Sequence, residues 1–198
     1  MPAWSPEIRV LGSPAATFRE VATASRSGAW TLLRRPLLLL LAMGITLSVL
    51  SSNRISVRVV ADGMVSFAFL AVIETIALGI VFLREKRALP FARAVDAFFV
   101  SNSPFFLWML AFWVWRFAVT PLQATAWPSA RMTVAATSLV IMAVWTVCLD
   151  LQFFRVVLPR RSGGALVDLL LQRAIAWTAG LTYFFGIAVW AWLVGRIR

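Results

Sequence analysis

The sequence predicts an all-α fold, a polytopic bundle of about five transmembrane helices preceded by an interfacial amphipathic helix. The first observation behind this prediction is composition: 61% of the 198 residues are hydrophobic and 14% are charged, and the mean hydropathy is +0.86. Soluble domains carry about 45–50% apolar and about 25% charged residues. Since a water-soluble fold of this length cannot bury so much apolar surface, lipid has to form part of its solvent. The spacing of the apolar runs and of the basic residues provides the other two observations.

Residues 1–35 form the first predicted region, a cytoplasmic tail that leads into an interfacial helix. The tail is irregular up to Ser13, and the pair Ser13-Pro14 is typical of an N-cap followed by proline at the first helical position. The helix that follows places apolar and polar side chains on different sides, as interfacial helices do. The apolar side carries Phe18, Val21, Ala22, Ala29 and Leu32, and the polar side carries Arg19, Thr23 and Arg26.

Residues 36–198 form the predicted transmembrane domain. Its five apolar runs are each long enough to cross about 30 Å of hydrocarbon. They lie at about 36–52, 64–83, 104–120, 132–151 and 174–194. The start of the first run, Arg34-Arg35-Pro36 before a leucine run, is similar to a twin-arginine export signal. No A-x-A-like cleavage site follows it, so we expect a spanning helix there.

The basic residues predict the orientation of these spans. The segments from the N-terminus to the C-terminus contain five, two, four, two, four and two Arg or Lys residues in turn. Cytoplasmic segments are the ones enriched in Arg and Lys. The alternation therefore predicts a cytoplasmic N-terminus and an external C-terminus, and it explains the excess of 19 basic over 8 acidic residues without nucleic acid. No organelle address is evident, so we expect a bacterial cytoplasmic (inner) membrane.

The residue types that are missing exclude several kinds of site. The chain has no histidine and a single cysteine, Cys148. A His-ligated haem, a His–Cys zinc site, a Ser–His–Asp triad and an intrachain disulfide are therefore excluded. No Walker, HExxH, GxSxG or CxxC motif is present. We therefore expect no metal or other cofactor and no enzymatic activity.

Glu74 is the most informative single residue, because it lies near the middle of the second predicted span. A charged side chain there costs about 2.5–3.5 kcal/mol on insertion scales, so it needs a partner or water. One hypothesis is a proton or substrate site, with Arg116 of the third span about 9 Å away in depth. The alternative is a structural hydrogen bond, and for Arg116 a side chain that extends to the outer headgroups. The structural partners considered for Glu74 are Thr46, Ser138 and Tyr183.

Basic residues at the cytoplasmic ends of the spans are candidate contacts for lipid or for a partner protein. They are Arg34, Arg35, Arg155, Arg160 and Arg161. Arg160 and Arg161 precede Ser162-Gly163-Gly164, whose backbone N–H groups and neighbouring guanidiniums suit a lipid phosphate. Asp150 with Arg155, and Asp168 with Arg173, could form an inner-leaflet network. Ordinary interfacial anchoring explains the same pattern, and anionic headgroups are the expected partners in either case.

Two segments resemble the Yip1-like family of five-span membrane proteins. One is the amphipathic lead into Leu33-Arg34-Arg35-Pro36 and the leucine run, and the other is FARAVDAFFVSNSPFF, residues 91–106. The resemblance covers roughly residues 18–194. It implies a cytoplasmic N-terminus, a C-terminus on the opposite side, and a membrane organiser rather than an enzyme.

Two functional hypotheses follow. The first is a non-enzymatic membrane scaffold or accessory subunit that packs against other integral membrane proteins, which short loops and sparse intramembrane polarity favour. The second is a permease-like subunit for a lipid or small hydrophobic solute, in which Glu74 lines the path together with Arg116.

Overall fold

A computed structural model describes residues 5–24, 28–52, 54–84, 89–119, 129–158 and 162–197. Over these residues the chain forms eight helices and no strand, which confirms the all-α prediction. The helices are α1 (Pro6–Gly12), α2 (Pro14–Thr23), α3 (Ala29–Ser52), α4 (Val57–Phe82), α5 (Phe91–Val100), α6 (Ser103–Val119), α7 (Ser129–Val156) and α8 (Ser162–Ile197).

Three of the described helices are long and apolar enough to cross a membrane: α3, α4 and the Thr133–Val156 part of α7. The pair α5 and α6 meets the same criteria together but is bent by 46° where they join, so the number is four if this pair counts as one span. These helices are consistent with an integral membrane protein. The fifth predicted span, 174–194, falls within α8, and its place as a span stays a prediction.

The N-terminal helices differ from the sequence prediction in their bounds. The tail that was expected to be irregular contains α1, which begins at Pro6. Backbone N–H groups in the first turn of a helix have no partner within the helix, so proline fits there. The expected interfacial helix ends at Thr23, and a separate helix starts at Ala29. That helix, α3, begins before Pro36 and contains it. Pro36 is the eighth residue of α3 and has no N–H to donate to the Leu32 carbonyl, yet the helix continues through it.

The buried core lies at one end of the bundle, which we call the capped end because α1, α2 and α5 cover it. The apolar side of α2, which was predicted to face the membrane surface, packs there against α5 and α7. Phe18 is fully buried, and its ring meets Phe153 edge-on at 5.9 Å between centroids. The core comprises, among others, Val10, Phe18, Val21, Leu78, Val81, Val95, Phe98, Phe153, Phe154, Leu158 and Leu169.

The opposite end, which we call the open end, leaves apolar side chains uncovered. Exposed residues on α3, α4, α7 and α8 there include Leu50, Val57, Val65, Val134, Val140, Phe184 and Phe185. Exposed apolar side chains are expected where a helix meets lipid tails. The bundle is therefore packed tightly at one end and loosely at the other.

One close approach joins α3 to α4 between these ends. A Cβ atom added to Gly44 would lie 2.5 Å from the carbonyl oxygen of Val60, and one added to Gly63 would lie 2.9 Å from the Cα of Gly44. Because backbone atoms occupy this space, both positions require glycine. The turn after α3 is tied by Ser48, whose hydroxyl donates to the Arg54 carbonyl and accepts from the Ser56 N–H, both at 2.8 Å.

Candidate functional site

Glu74 is bonded to two consecutive residues of α8. Its Oε2 accepts a hydrogen bond from Nε2 of Gln172 at 2.5 Å, and its Oε1 pairs with Nη1 of Arg173 at 2.9 Å. Gln172 is fully buried, and the side chains of Glu74 and Arg173 are about a quarter exposed. The carboxylate of Glu74 therefore joins α4 to α8.

The guanidinium of Arg173 also pairs with a second carboxylate. Its Nη2 contacts Oδ2 of Asp150 on α7, whose side chain is 1% exposed. The hydroxyl of Ser101, at the bend between α5 and α6, lies within hydrogen-bond distance of Oδ1 of Asp150 and of the Phe98 carbonyl, and donates its single proton to one of these acceptors at a time. We call Glu74, Arg173 and Asp150 the triad. Through it and Ser101, three helices and the bend are connected by polar contacts.

A further ion pair reinforces the contact between α4 and α8. Nη1 of Arg84, just after the end of α4, lies 3.5 Å from Oδ1 of Asp168. Asp168 and Gln172 are four residues apart on α8 and so share a face of the helix. This face meets α4 twice, once at Arg84 and once at Glu74.

The triad contains two carboxylates and one guanidinium. Desolvating charges is costly, so a buried pair depends on each partner, and removing one typically costs about 3–5 kcal/mol. Within the triad and Gln172, the described hydrogen bonds leave two buried atoms without a partner, Oε1 of Gln172 and Nε of Arg173. No group of three or more His, Cys, Asp or Glu residues in the described part of the chain is arranged to hold a metal ion. The arrangement is suited to holding helices together.

A second charged cluster lies where α3 enters the capped end. Asp96 of α5, 1% exposed, accepts from Nε and Nη2 of Arg34 at 2.7 and 2.5 Å. Arg35 pairs with the same carboxylate, donates to the Asp96 carbonyl at 3.1 Å, and pairs with Glu7 at 2.9 Å. Burial raises the pKa of the Glu7 carboxyl, but its own backbone N–H and Arg35 outweigh that effect and hold the pKa below its ordinary value.

The remaining predicted site residues have different surroundings. Arg155 is exposed on α7, and Arg116 is buried on α6. Arg160 and Arg161 lie outside the described residues. One hypothesis paired Glu74 with Arg116, whereas the contacts found for its carboxylate are to Gln172 and Arg173. The three structural partners considered have other contacts: Trp113 donates to Thr46, Trp108 donates to Ser138, and Tyr183 stacks on Phe69.

Glu74 also lines two cavities. One, of about 350 Å³, lies between α3, α4 and α6 and is walled mainly by apolar side chains, with Asn102 and Trp108 on its other side. The second, of about 250 Å³, lies between α4 and α8 beside Trp177 and Gly180. The carboxylate is therefore placed between two apolar spaces at the edge of the packed core.

Sequence reasoning missed Asp96, Gln172 and Ser101 as participants. The signal for Asp96 was present, because it is the only acid in the otherwise apolar stretch AVDAFFV, and a buried acid requires a cation. Arg34 and Arg35 were interpreted as headgroup contacts because both precede a span. Two adjacent arginines ahead of a span fit either environment, and sequence spacing does not distinguish them.

Comparisons with known proteins place no constraint on this site. No protein-family model matches the chain, and neither the curated proteins nor the solved structures include a significant match. The resemblance to the Yip1-like family therefore stays a prediction.

Proposed function

We propose that the chain is a non-enzymatic scaffold or accessory subunit of a larger membrane protein complex, in a bacterial inner membrane. The observation that carries the proposal is the open-end part of α8. From Leu181 to Gly186 every residue is exposed, and Trp177 and Phe185 are 70% and 67% exposed. Within the single chain, this part of α8 has few neighbours, as expected of a helix that packs against another protein.

The surface of this helix suits helix–helix packing. Thr178, Thr182 and Gly186 recur every four residues and line a shallow groove with Leu181, Phe185 and Val189. Nothing lies within 4 Å of a Cβ added to Gly186. Small residues at four-residue spacing allow backbones to approach closely in membranes, where helix association depends on packing.

The charge distribution supports a non-enzymatic role. Glu74 and Asp150 both pair with Arg173, and Arg34 and Arg35 both pair with Asp96 at the capped end. Groups engaged in this way fix the helices in place. Catalytic groups, in contrast, have to remain available to a substrate.

The proposal retains five spans with the N-terminus in the cytoplasm. Helix α8 has 36 residues and so extends about 54 Å at about 1.5 Å per residue. That length accommodates both the segment that carries Asp168 and Arg173 and a full crossing over 174–194. With α3, α4, α7 and the bent pair, the total is five, as the alternation of basic residues and the Yip1-like resemblance suggest.

Co-purification tests the proposal. The tagged chain is extracted in a mild detergent from membranes of its native host, and every co-eluting protein is quantified by mass spectrometry. We expect a stoichiometric integral membrane partner that is lost in Gly186→Leu, because a large side chain fills the groove. Ala136→Leu, a matched change at an exposed site on α7, should retain it. A chain that elutes alone as a stable monomer would contradict the proposal.

The two cavities at Glu74 favour a second candidate, a permease-like subunit for a lipid or small hydrophobic solute. In this version Glu74, with Arg116, lines the path of the solute. A proteoliposome assay with a fluorescent phospholipid and a fluorescent hydrophobic amine tests it. Loss of transport in Glu74→Gln, with normal transport in Arg155→Gln, would support a permease. Transport and pH dependence that survive Glu74→Gln would rule this version out.

A further inference from the structure

A large cleft separates the α1–α2 pair from α3. Its volume is about 930 Å³, and its walls change in character with depth. The rim is formed by charged residues of α1, α2 and the start of α3, and the deeper wall is formed by Leu37, Leu38, Leu41 and Met64. A cleft that is charged at one end and apolar at the other matches the shape and polarity of a phospholipid.

The charges at the rim balance. Among the described residues, two guanidiniums and two carboxylates line it: Arg34, Arg35, Glu7 and Glu20. Each of them is also paired, Arg34 with Asp96, Arg35 with Glu7 and Asp96, and Glu20 with Arg9. A rim of this kind does not favour an anionic headgroup over a neutral one, because a net negative charge would meet carboxylates as well as guanidiniums. It is complementary to a headgroup that carries one positive and one negative charge.

Arg34 is the group that can receive the phosphate. Asp96 accepts from its Nε and Nη2, which leaves the two N–H groups of Nη1, and the side chain is 41% exposed. Guanidinium N–H groups form charge-assisted hydrogen bonds with phosphate oxygens. The carboxylates of Glu7 and Glu20 line the same rim, with side chains 24% and 59% exposed, and can accept from an ammonium.

The apolar wall continues from this rim along α3. Leu37, Leu38 and Leu41 are each about 40% exposed, and Leu41 lies seven residues beyond Arg34, about 10 Å deeper along the helix. Trp30 is 70% exposed at the mouth, in the position relative to the headgroups that tryptophan favours. An acyl chain attached to a headgroup at Arg34 would lie against these leucines.

We propose that the cleft binds one phospholipid with a zwitterionic headgroup that bears a primary ammonium, the phosphatidylethanolamine class. The phosphate lies at Arg34, the ammonium at Glu7 and Glu20, and one acyl chain along the leucine wall. A quaternary ammonium cannot donate hydrogen bonds to the carboxylates, so phosphatidylcholine should bind less well. This site is independent of the partner surface on α8, so either assignment can fail without the other.

Native mass spectrometry of the full chain tests this assignment. Mixed micelles contain equal amounts of phosphatidylethanolamine, phosphatidylcholine and phosphatidylglycerol, and single-lipid adducts are counted. We expect the phosphatidylethanolamine adduct to predominate. Arg34→Gln should reduce it about tenfold, as loss of a charge-assisted hydrogen bond implies. Arg19→Gln, a change at an exposed arginine of α2 away from the cleft, should leave it unchanged.

Leu38→Trp provides a second variant that keeps every charge. It should reduce the adduct by filling the apolar wall, and it remains informative if Arg34→Gln disturbs folding. The assignment is overturned if phosphatidylglycerol or phosphatidylcholine binds as well as phosphatidylethanolamine, or if the adduct persists in Leu38→Trp. Soluble phosphoethanolamine should not displace the lipid, and displacement by it would show that the cleft recognises a free phosphate compound instead.

Discussion

The capped and open ends of the bundle are held together by different forces. At the capped end, aromatic side chains such as Phe98 and Phe153 are fully or nearly fully buried, and the triad and the Asp96 cluster connect helices that are distant in sequence. At the open end, described side chains on α7 and α8 are mostly exposed and apolar. Apolar side chains therefore pack against one another at the capped end, and they face the surroundings of the protein at the open end.

This difference is the one expected of a bundle whose solvent changes along the helix axes, from water at one end to lipid at the other. Near a membrane surface, burial from water still rewards packing of apolar groups. Within the hydrocarbon layer lipid tails are as apolar as leucine, so helix association there depends on close packing and polar contacts. Folding stability should therefore be concentrated at the capped end, and substitutions at the two ends should differ in their cost.

The largest effect is expected at Arg173. Arg173→Met leaves Glu74 and Asp150 without their shared guanidinium and should cost about 3–5 kcal/mol of folding free energy. Thermal unfolding in detergent measures the loss. Arg155→Met, at an exposed arginine of α7, should change stability by about 0.5 kcal/mol or less.

Charge removal provides the control for that experiment. A triple variant with Arg173→Met, Glu74→Gln and Asp150→Asn leaves no uncompensated charge in the triad, so most of the lost stability should return. If Arg173→Met is no more harmful than Arg155→Met, the triad does not hold the helices together and the comparison fails.

Phenylalanine truncations compare the two ends directly. Phe153→Ala removes a fully buried ring from the capped end and should cost about 3 kcal/mol. Phe185→Ala removes an exposed ring from the open end and should cost about 0.5 kcal/mol or less in detergent. Equal losses, measured by thermal unfolding, would mean that stability is spread evenly along the bundle.

Much of the fold could be predicted from the sequence because long apolar runs form helices. The runs that became α3, α4 and α7 have the length and apolarity needed to cross hydrocarbon. The start at Pro14 followed from local capping chemistry. Helix α1 was missed because seven residues give too short a pattern, and its stability comes from Val10 in the tertiary core.

The contacts of the candidate site were harder to predict. Glu74 could be identified because a carboxylate within an apolar run needs a partner. Its partner could not, because Arg173 was placed at the start of a span and the helix instead begins at Ser162. Which face of α8 meets α4 depends on how the two helices pack, and Glu74 and Arg173 are 99 residues apart in the chain. A single sequence does not contain that information.

The close contact between α3 and α4 should be sensitive to a single methyl group. Gly44→Ala places Cβ against the Val60 carbonyl and should cost about 1–3 kcal/mol as overpacking. Gly180→Ala adds the same atom where nothing lies within 4 Å and should be neutral or slightly stabilising. In thermal unfolding, we expect the midpoint temperature to fall in Gly44→Ala and to stay the same or rise slightly in Gly180→Ala. An unchanged midpoint in Gly44→Ala would mean that the two helices can move apart there without loss of stability.

The smallest effect concerns acid and the N-terminal helices, which are the outermost layer of the capped end. Hydrogen bonds from Arg9 hold the pKa of Glu20 below its ordinary value of 4.5, and the pKa of Glu7 is also lowered. A lowered folded-state pKa stabilises the fold above the ordinary value, and this contribution is lost as pH falls through the folded-state pKa. Hydrogen exchange of α1 and α2, corrected for intrinsic rates, should therefore be unchanged from about pH 6.5 to about pH 5.5 and accelerate as the pH falls from there to about pH 3.5. The acceleration should be smaller in Glu20→Gln, which has already lost one titrating group. Acceleration confined to the open-end part of α8 would contradict the prediction, because the acid-sensitive contacts would then lie at the other end of the bundle.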